Sequence, residues 1–157
     1  MKRCRCTHGG FSLLEVVIVV AIIAILAAIG IPRMSRGAKG ASDAALTGDL
    51  ATLRNAIDLY AAEHTGTFPT AANVNTQLTQ YTVINGGVNA TKDTTHIYGP
   101  YMRSIPPLPV GGKKGNSTIA DANGAGVGWI YSATEGTIKA NTSDAEIDEA
   151  GKKYNVY

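Results

Sequence analysis

The pattern of apolar and polar positions changes character twice along this chain. From Phe11 to Ile31 every residue is uncharged except Glu15. A helix of that length rises about 31 Å at 1.5 Å per residue, close to the hydrocarbon thickness of a bilayer. The pattern therefore predicts one helix that is apolar on all sides. After Pro32 the pattern becomes periodic. Leu46, Leu50, Leu53, Ile57 and Tyr60 follow one another at steps of four and three, while Asp49, Arg54, Asp58 and Glu63 fall off that stripe. This predicts an amphipathic helix over 33–66 that packs on its own domain, with Gly66 as its stop after His64.

From Thr67 onward the pattern shortens. Val74, Leu78 and Tyr81 suggest a short helix after Pro69, and Asn85-Gly86-Gly87 a turn. Ile105-Pro106-Pro107-Leu108-Pro109 excludes helix and inner strand and reads as a wrapped loop. Gly128–Ser132 and Thr137–Ala140 flank Thr134-Glu135-Gly136 and read as a β-hairpin. The expected fold class is α+β: a long N-terminal helix, apolar then amphipathic, packed on a small antiparallel β-sheet. The expected division is 1–10, a leader; 11–32, the apolar helix; 33–66, its amphipathic continuation; and 67–157, a globular head.

Charge sharpens the reading of the N-terminus. The net charge of +2 is small, and Lys2, Arg3 and Arg5 precede the apolar run; the rest of the chain is near neutral. Nucleic-acid binding is not expected from such a balance. Basic residues ahead of an apolar helix place the N-terminus on the cytoplasmic side, although Arg33, Arg36 and Lys39 follow the helix. Cys4 and Cys6 are the only cysteines. Without further ligands they do not make a metal site, and the rest of the chain can hold no disulfide. A conventional secretory signal cleaved near Ala28-Ile29-Gly30 is the competing reading. It leaves the acid at Glu15 without a purpose.

Gly9-Gly10-Phe11-Ser12-Leu13-Leu14-Glu15 resembles the processing site of type IV pilins and of type II secretion pseudopilins. The resemblance implies cleavage between Gly10 and Phe11 by a prepilin peptidase and N-methylation of Phe11. Glu15 matches the family's glutamate five residues after the cut, and Pro32 its helix proline. It extends well to about Gly66. A looser likeness of Tyr101–Pro106 and the Gly-Trp-Ile-Tyr hairpin is to major pseudopilins. The implied protein is a structural filament subunit and not an enzyme. Its implied partners are copies of itself, the bacterial inner membrane, an assembly platform protein with its ATPase, and minor pilins or pseudopilins. A major pseudopilin is the favoured subtype, with a type IVa pilin for adhesion, motility or DNA uptake as the alternative. A subunit of this kind waits in the inner membrane with its head in the periplasm and then enters a periplasmic or cell-surface filament.

Physical chemistry gives Glu15 and Pro32 roles consistent with that resemblance. Cleavage after Gly10 would leave a positive α-amine about 6 Å before Glu15 along the helix. In a filament the amine of one subunit can meet Glu15 of its neighbour, fixing register more than adding net stability. Pro32 removes a backbone donor beside Gly30, so the helix is expected to bend or melt locally there. In the tail, Asp144, Glu146, Asp148 and Glu149 are hard oxygen ligands, and major pseudopilins often hold calcium in a C-terminal loop. The spacing matches no particular calcium loop, and Ser143-x-x-Glu146 reads equally as a capping box. His64 and His96 lack companions for a metal or catalytic role. Trp129 and the tyrosines at 98, 101, 131, 154 and 157 suit either a core or a contact surface.

Overall fold

The computed structural model describes residues 11–157, apart from the side chains of residues 31–33, 35 and 36. Helix α1, Leu13–Glu63, runs in one piece from the apolar segment into the amphipathic one. The chain falls into two compact units, one ending at Ala38 and the other covering Lys39–Tyr157. In the second unit the order is α2 (Val74–Thr79), β1 (Tyr81–Thr82), β2 (Val88–Asn89), β3 (Thr118–Ala120), β4 (Val127–Ser132) and β5 (Thr137–Ala140), with a 3-10 turn at Tyr154–Val156. The class is α+β, as expected.

The helical stripe does what its spacing predicts. Leu46, Leu50, Leu53, Ile57 and Tyr60 are all buried, and they share one core with Leu78, Leu108, Trp129, Tyr131, Ile138 and Tyr154. Two polar side chains on the same helix secure the C-terminal segment. Asp43 accepts hydrogen bonds from the Tyr154 hydroxyl at 2.7 Å and the Glu149 amide at 3.2 Å. Arg54 donates to the Tyr157 carbonyl at 2.6 Å. Eleven residues make about three helical turns, so Asp43 and Arg54 lie on one face and hold the tail along it.

The helix ends as a Schellman-type turn. The Gly66 amide donates to the Ala61 carbonyl at 2.8 Å, with Thr65 at φ 56° and Gly66 at φ 81°. Gly66 is therefore part of the stop, but the first left-handed position falls to Thr65, a β-branched residue. That conformation costs an L-residue about 1–2 kcal/mol. Replacement by glycine removes that cost and adds unfolded-state entropy that offsets part of it. Thr65→Gly is expected to stabilise the protein by about 0.5–1 kcal/mol, read as a rise in the urea midpoint at unchanged slope.

The hairpin is as expected: Trp129 pairs with Ala140, Tyr131 with Ile138 and Ser132 with Thr137, all antiparallel. The sheet as a whole is not antiparallel. Its order is β3-β4-β5, and β3 runs parallel to β4. Parallel neighbours usually need a crossover of a dozen residues or more. Here β3 is only three residues long, so the chain retraces about 10 Å, and the short connection from Asp121 to Gly126 suffices. The outer edge of β3 is covered by Asn75 of α2. Its side chain donates to the Ile119 carbonyl at 2.8 Å and accepts from the Ile119 amide at 2.9 Å, which prevents another strand from adding there.

One local expectation needs correction. Tyr81 does not lie on the short helix, because α2 ends at Thr79 and Gln80 is extended. Tyr81 instead opens β1, which pairs with β2 across the Asn85-Gly86-Gly87 turn. The proline-rich stretch is a loop, as expected. It is anchored by the Trp129 indole N–H donating to the Pro106 carbonyl at 2.8 Å.

Candidate processing and assembly segment

The segment is built from a helix start, an acid and an uninterrupted apolar surface. Phe11 and Ser12 precede the helix. The Ser12 carbonyl accepts from the amides of Glu15 at 3.0 Å and Val16 at 3.2 Å, which makes Ser12 the N-cap. Glu15 is the acid of the first turn, where a negative side chain complements the helix dipole. Phe11 is 83% exposed. Leu13–Gly30 has a mean hydropathy of 3.0 and no buried residue. A helix apolar on every face, with nothing covering it, is built to sit in lipid or against other apolar helices. Its length of about 27 Å suits a bilayer core.

Gly10 and the rest of residues 1–10, including both cysteines, lie outside the described residues, so the Gly10–Phe11 junction is known only from its Phe11 side. Gly30 and Pro32 do not interrupt the helix, which is continuous from Leu13 to Glu63. The local melting expected at Pro32 is therefore not observed. A proline removes one amide donor, here the partner of the Ala28 carbonyl, and helices suited to membranes tolerate that loss.

The acidic tail residues are not brought together as a metal site. Among the described residues there is no group of three or more His, Cys, Asp or Glu side chains placed to hold an ion. Asp144 accepts from Lys153 Nζ at 2.7 Å and Asn155 Nδ2 at 2.8 Å. Glu146 accepts from the Ser143 amide at 2.7 Å and its hydroxyl at 3.1 Å, and also from the Gly112 amide. Asp148 accepts from the Lys152 amide and the Tyr157 hydroxyl. Each carboxylate thus serves a separate set of donors. Asp144, Glu146 and Asp148 do not fit a calcium site in this arrangement, whereas the Ser143–Glu146 capping pair is present.

Those donors hold all three carboxyls below their ordinary pKa. The leading influences are Lys153 on Asp144, the Ser143 amide on Glu146 and the Tyr157 hydroxyl on Asp148. A depressed folded-state pKa contributes stability above the unfolded value, and that stability is lost as the pH falls through the folded one. The tail is therefore expected to stay docked from neutral pH to about pH 4 and to loosen below it. Hydrogen exchange of the amides over residues 143–157, followed against pH, would show their protection falling before that of β4.

The histidines and aromatic residues serve the interior. His64 is buried and stacks on Tyr60 at 3.8 Å. Its ring nitrogens meet the Tyr60 carbonyl and the Thr82 hydroxyl, tying the end of α1 to β1. His96 pairs with Asp93 in an exposed loop. Trp129, Tyr131 and Tyr154 are core residues, so the tyrosines and Trp129 do not form one exposed surface.

The prokaryotic N-terminal methylation motif matches residues 5–31, which takes in the Gly10–Phe11 junction, Glu15 and nearly all of the apolar segment. No curated protein and no solved structure matches the chain. The chain thus combines a compact α+β head with an uncovered N-terminal apolar helix long enough to span a membrane. The motif marks the chain as a type IV pilin-like protein, and so implies processing by a prepilin peptidase and assembly into a filament.

Proposed function

We propose that this protein is the major pseudopilin of a type II secretion system. In this reading the peptidase cuts between Gly10 and Phe11 and Phe11 is N-methylated. The platform protein and its ATPase then add the subunit at the base of a short filament. The observation that carries the filament role is the uncovered apolar helix with a single acid close to its start. The pseudopilin subtype rests on two things. No cysteine lies beyond Cys6, so the head lacks the C-terminal disulfide common in adhesive pilins. The Trp129 hairpin and the Tyr101–Pro106 stretch also resemble major pseudopilins.

Mass spectrometry of the mature chain from its own cell tests processing: N-methyl-Phe11 at the N-terminus supports the reading, and a start at Ile31 ends it. Deletion tests the subtype. Loss of exoprotein secretion supports a pseudopilin. Intact secretion with loss of long surface filaments supports a type IVa pilin instead.

A further inference from the structure

We propose that Lys113 and Asn123 join through an intramolecular isopeptide bond, a covalent tie in a head that has no cysteine. Lys113 Nζ is in hydrogen-bond contact with Asn123 Oδ1. The same oxygen accepts from Asn141 Nδ2 at 3.3 Å. Asn141 is 6% exposed, and its side chain is fixed by donating to the Val127 carbonyl at 2.8 Å. The Asn123 carbonyl is therefore polarised by a donor held in the protein interior, at the position where negative charge would develop. Lys113, Asn123, Asn141 and Glu146 line one cavity of about 340 Å³. Glu146 is fixed there by the Ser143 and Gly112 amides, and the charge of Lys113 adds to what keeps it ionised. A nucleophile, an amide carbon, an oxyanion donor and a carboxylate thus share one small space.

The chemistry closes without an oxidant or a co-reactant. The Lys113 ammonium gives a proton to solvent, and the freed Nζ lone pair attacks Cγ of Asn123, with the ionised Glu146 offsetting the positive charge that grows on Nζ. Asn141 Nδ2 holds the oxyanion of the adduct. The Cγ–Nζ bond remains as the Cγ–Nδ2 bond breaks. The departing nitrogen takes one proton from solvent and a second one from Nζ, and leaves as ammonium. Holding the partners in place converts an unfavourable encounter into an intramolecular step, and loss of ammonium to solvent makes it one-way. The product encloses β3 and the first residues of its short connection to β4, the tightest part of the sheet topology.

The test is the intact mass of the full-length protein purified in detergent, beside Lys113→Arg and Asn123→Ala. The wild type is expected to be lighter by one ammonia than its own N-terminus dictates, and to yield a branched peptide joining residues 113 and 123. Both variants are expected at full mass, with the far-UV circular dichroism of the wild type. A wild-type mass equal to that of the unmodified chain after prolonged incubation at neutral pH overturns the proposal. So does a loss of ammonia that persists in Lys113→Arg, which would place it in a succinimide at Asn123-Gly124.

Discussion

Glu15→Ala is expected to leave membrane insertion intact and to reduce filament yield on the order of a hundredfold. In the proposed filament the Phe11 amine of one subunit meets Glu15 of another between apolar helices. Removing one partner of a buried pair leaves the other charge unmatched, at a cost of about 3–5 kcal/mol. Each 1.4 kcal/mol is tenfold in an equilibrium constant, so subunit addition weakens by two decades or more. The effect on the monomer has the opposite sign. Near the helix start a carboxylate costs less than the 2.5–3.5 kcal/mol it costs at a helix centre, and alanine removes that cost. Membrane fractionation should find as much processed variant as wild type, while electron microscopy of sheared filaments should find almost none. Wild-type filament numbers in the variant would show that Glu15 does not set register. Loss of the protein from the membrane would show that it serves insertion.

The parts of this molecule legible in the sequence are those in which a single period dominates. The apolar run and the stripe from Leu46 to Tyr60 each sit on one continuous helix, and each gives its burial directly: nothing covers the first, and everything covers the second. The β4–β5 hairpin was equally plain, because its turn residues separate two alternating runs. The parallel placement of β3 was not, since three residues carry no periodicity, and their direction is set by where a short connection can reach. The β1–β2 pair carried a readable signal in Asn85-Gly86-Gly87, which lies between Tyr81-Thr82 and Val88-Asn89. The helical spacing of Val74, Leu78 and Tyr81 obscured it. In the candidate site, the composition at Phe11 and Glu15 was informative because a charge in an apolar helix is costly and needs a reason. The acidic tail misled for the opposite reason. Four acids in six residues look like a cation site, but in the structure Asp144, Glu146 and Asp148 are taken up separately by backbone amides, Lys153, Asn155 and the hydroxyls of Ser143 and Tyr157.

The tail also shows how the head holds together without a disulfide. Asp43 and Arg54 project from the same side of α1, and both reach the last segment. Burial pushes the Tyr154 phenol well above its ordinary value, with the Asp43 carboxylate adding to the effect. The hydroxyl therefore remains a donor throughout the neutral range. These contacts are spread along a helix face whose apolar stripe is buried beneath the same core, so docking of the tail and packing of the helix support one another.

The most sensitive point of the head is Gly128. It lies on β4 where the pairing with β3 slips: Thr118 is opposite Val127 and Ile119 is opposite Trp129, so Gly128 is the extra residue. The slip brings the backbone of Asn116 against it. A Cβ at Gly128 would lie 2.0 Å from the Asn116 carbonyl oxygen and 2.8 Å from its carbon. That carbonyl cannot simply turn away, because it accepts the Leu108 amide at 2.9 Å, while the Gly128 carbonyl accepts the Asn141 amide at 2.9 Å. Relief requires moving the 108–116 loop or β4, and β4 carries the buried Trp129 and Tyr131. Gly128→Ala is therefore expected to cost at least about 3 kcal/mol, at or beyond the upper end for overpacked sites. A change of this size is a large fraction of the stability of a domain this small. The loss should appear as a lower urea midpoint, and the near-UV signal of Trp129 should decay before the helical far-UV signal. Gly126→Ala is the control. Nothing lies within 4 Å of a Cβ there, and only its φ of 73° opposes the change, so it should cost about 1–2 kcal/mol. A loss at Gly128 no larger than at Gly126 would show that the Asn116 backbone gives way to a Cβ and that its approach does not require glycine there.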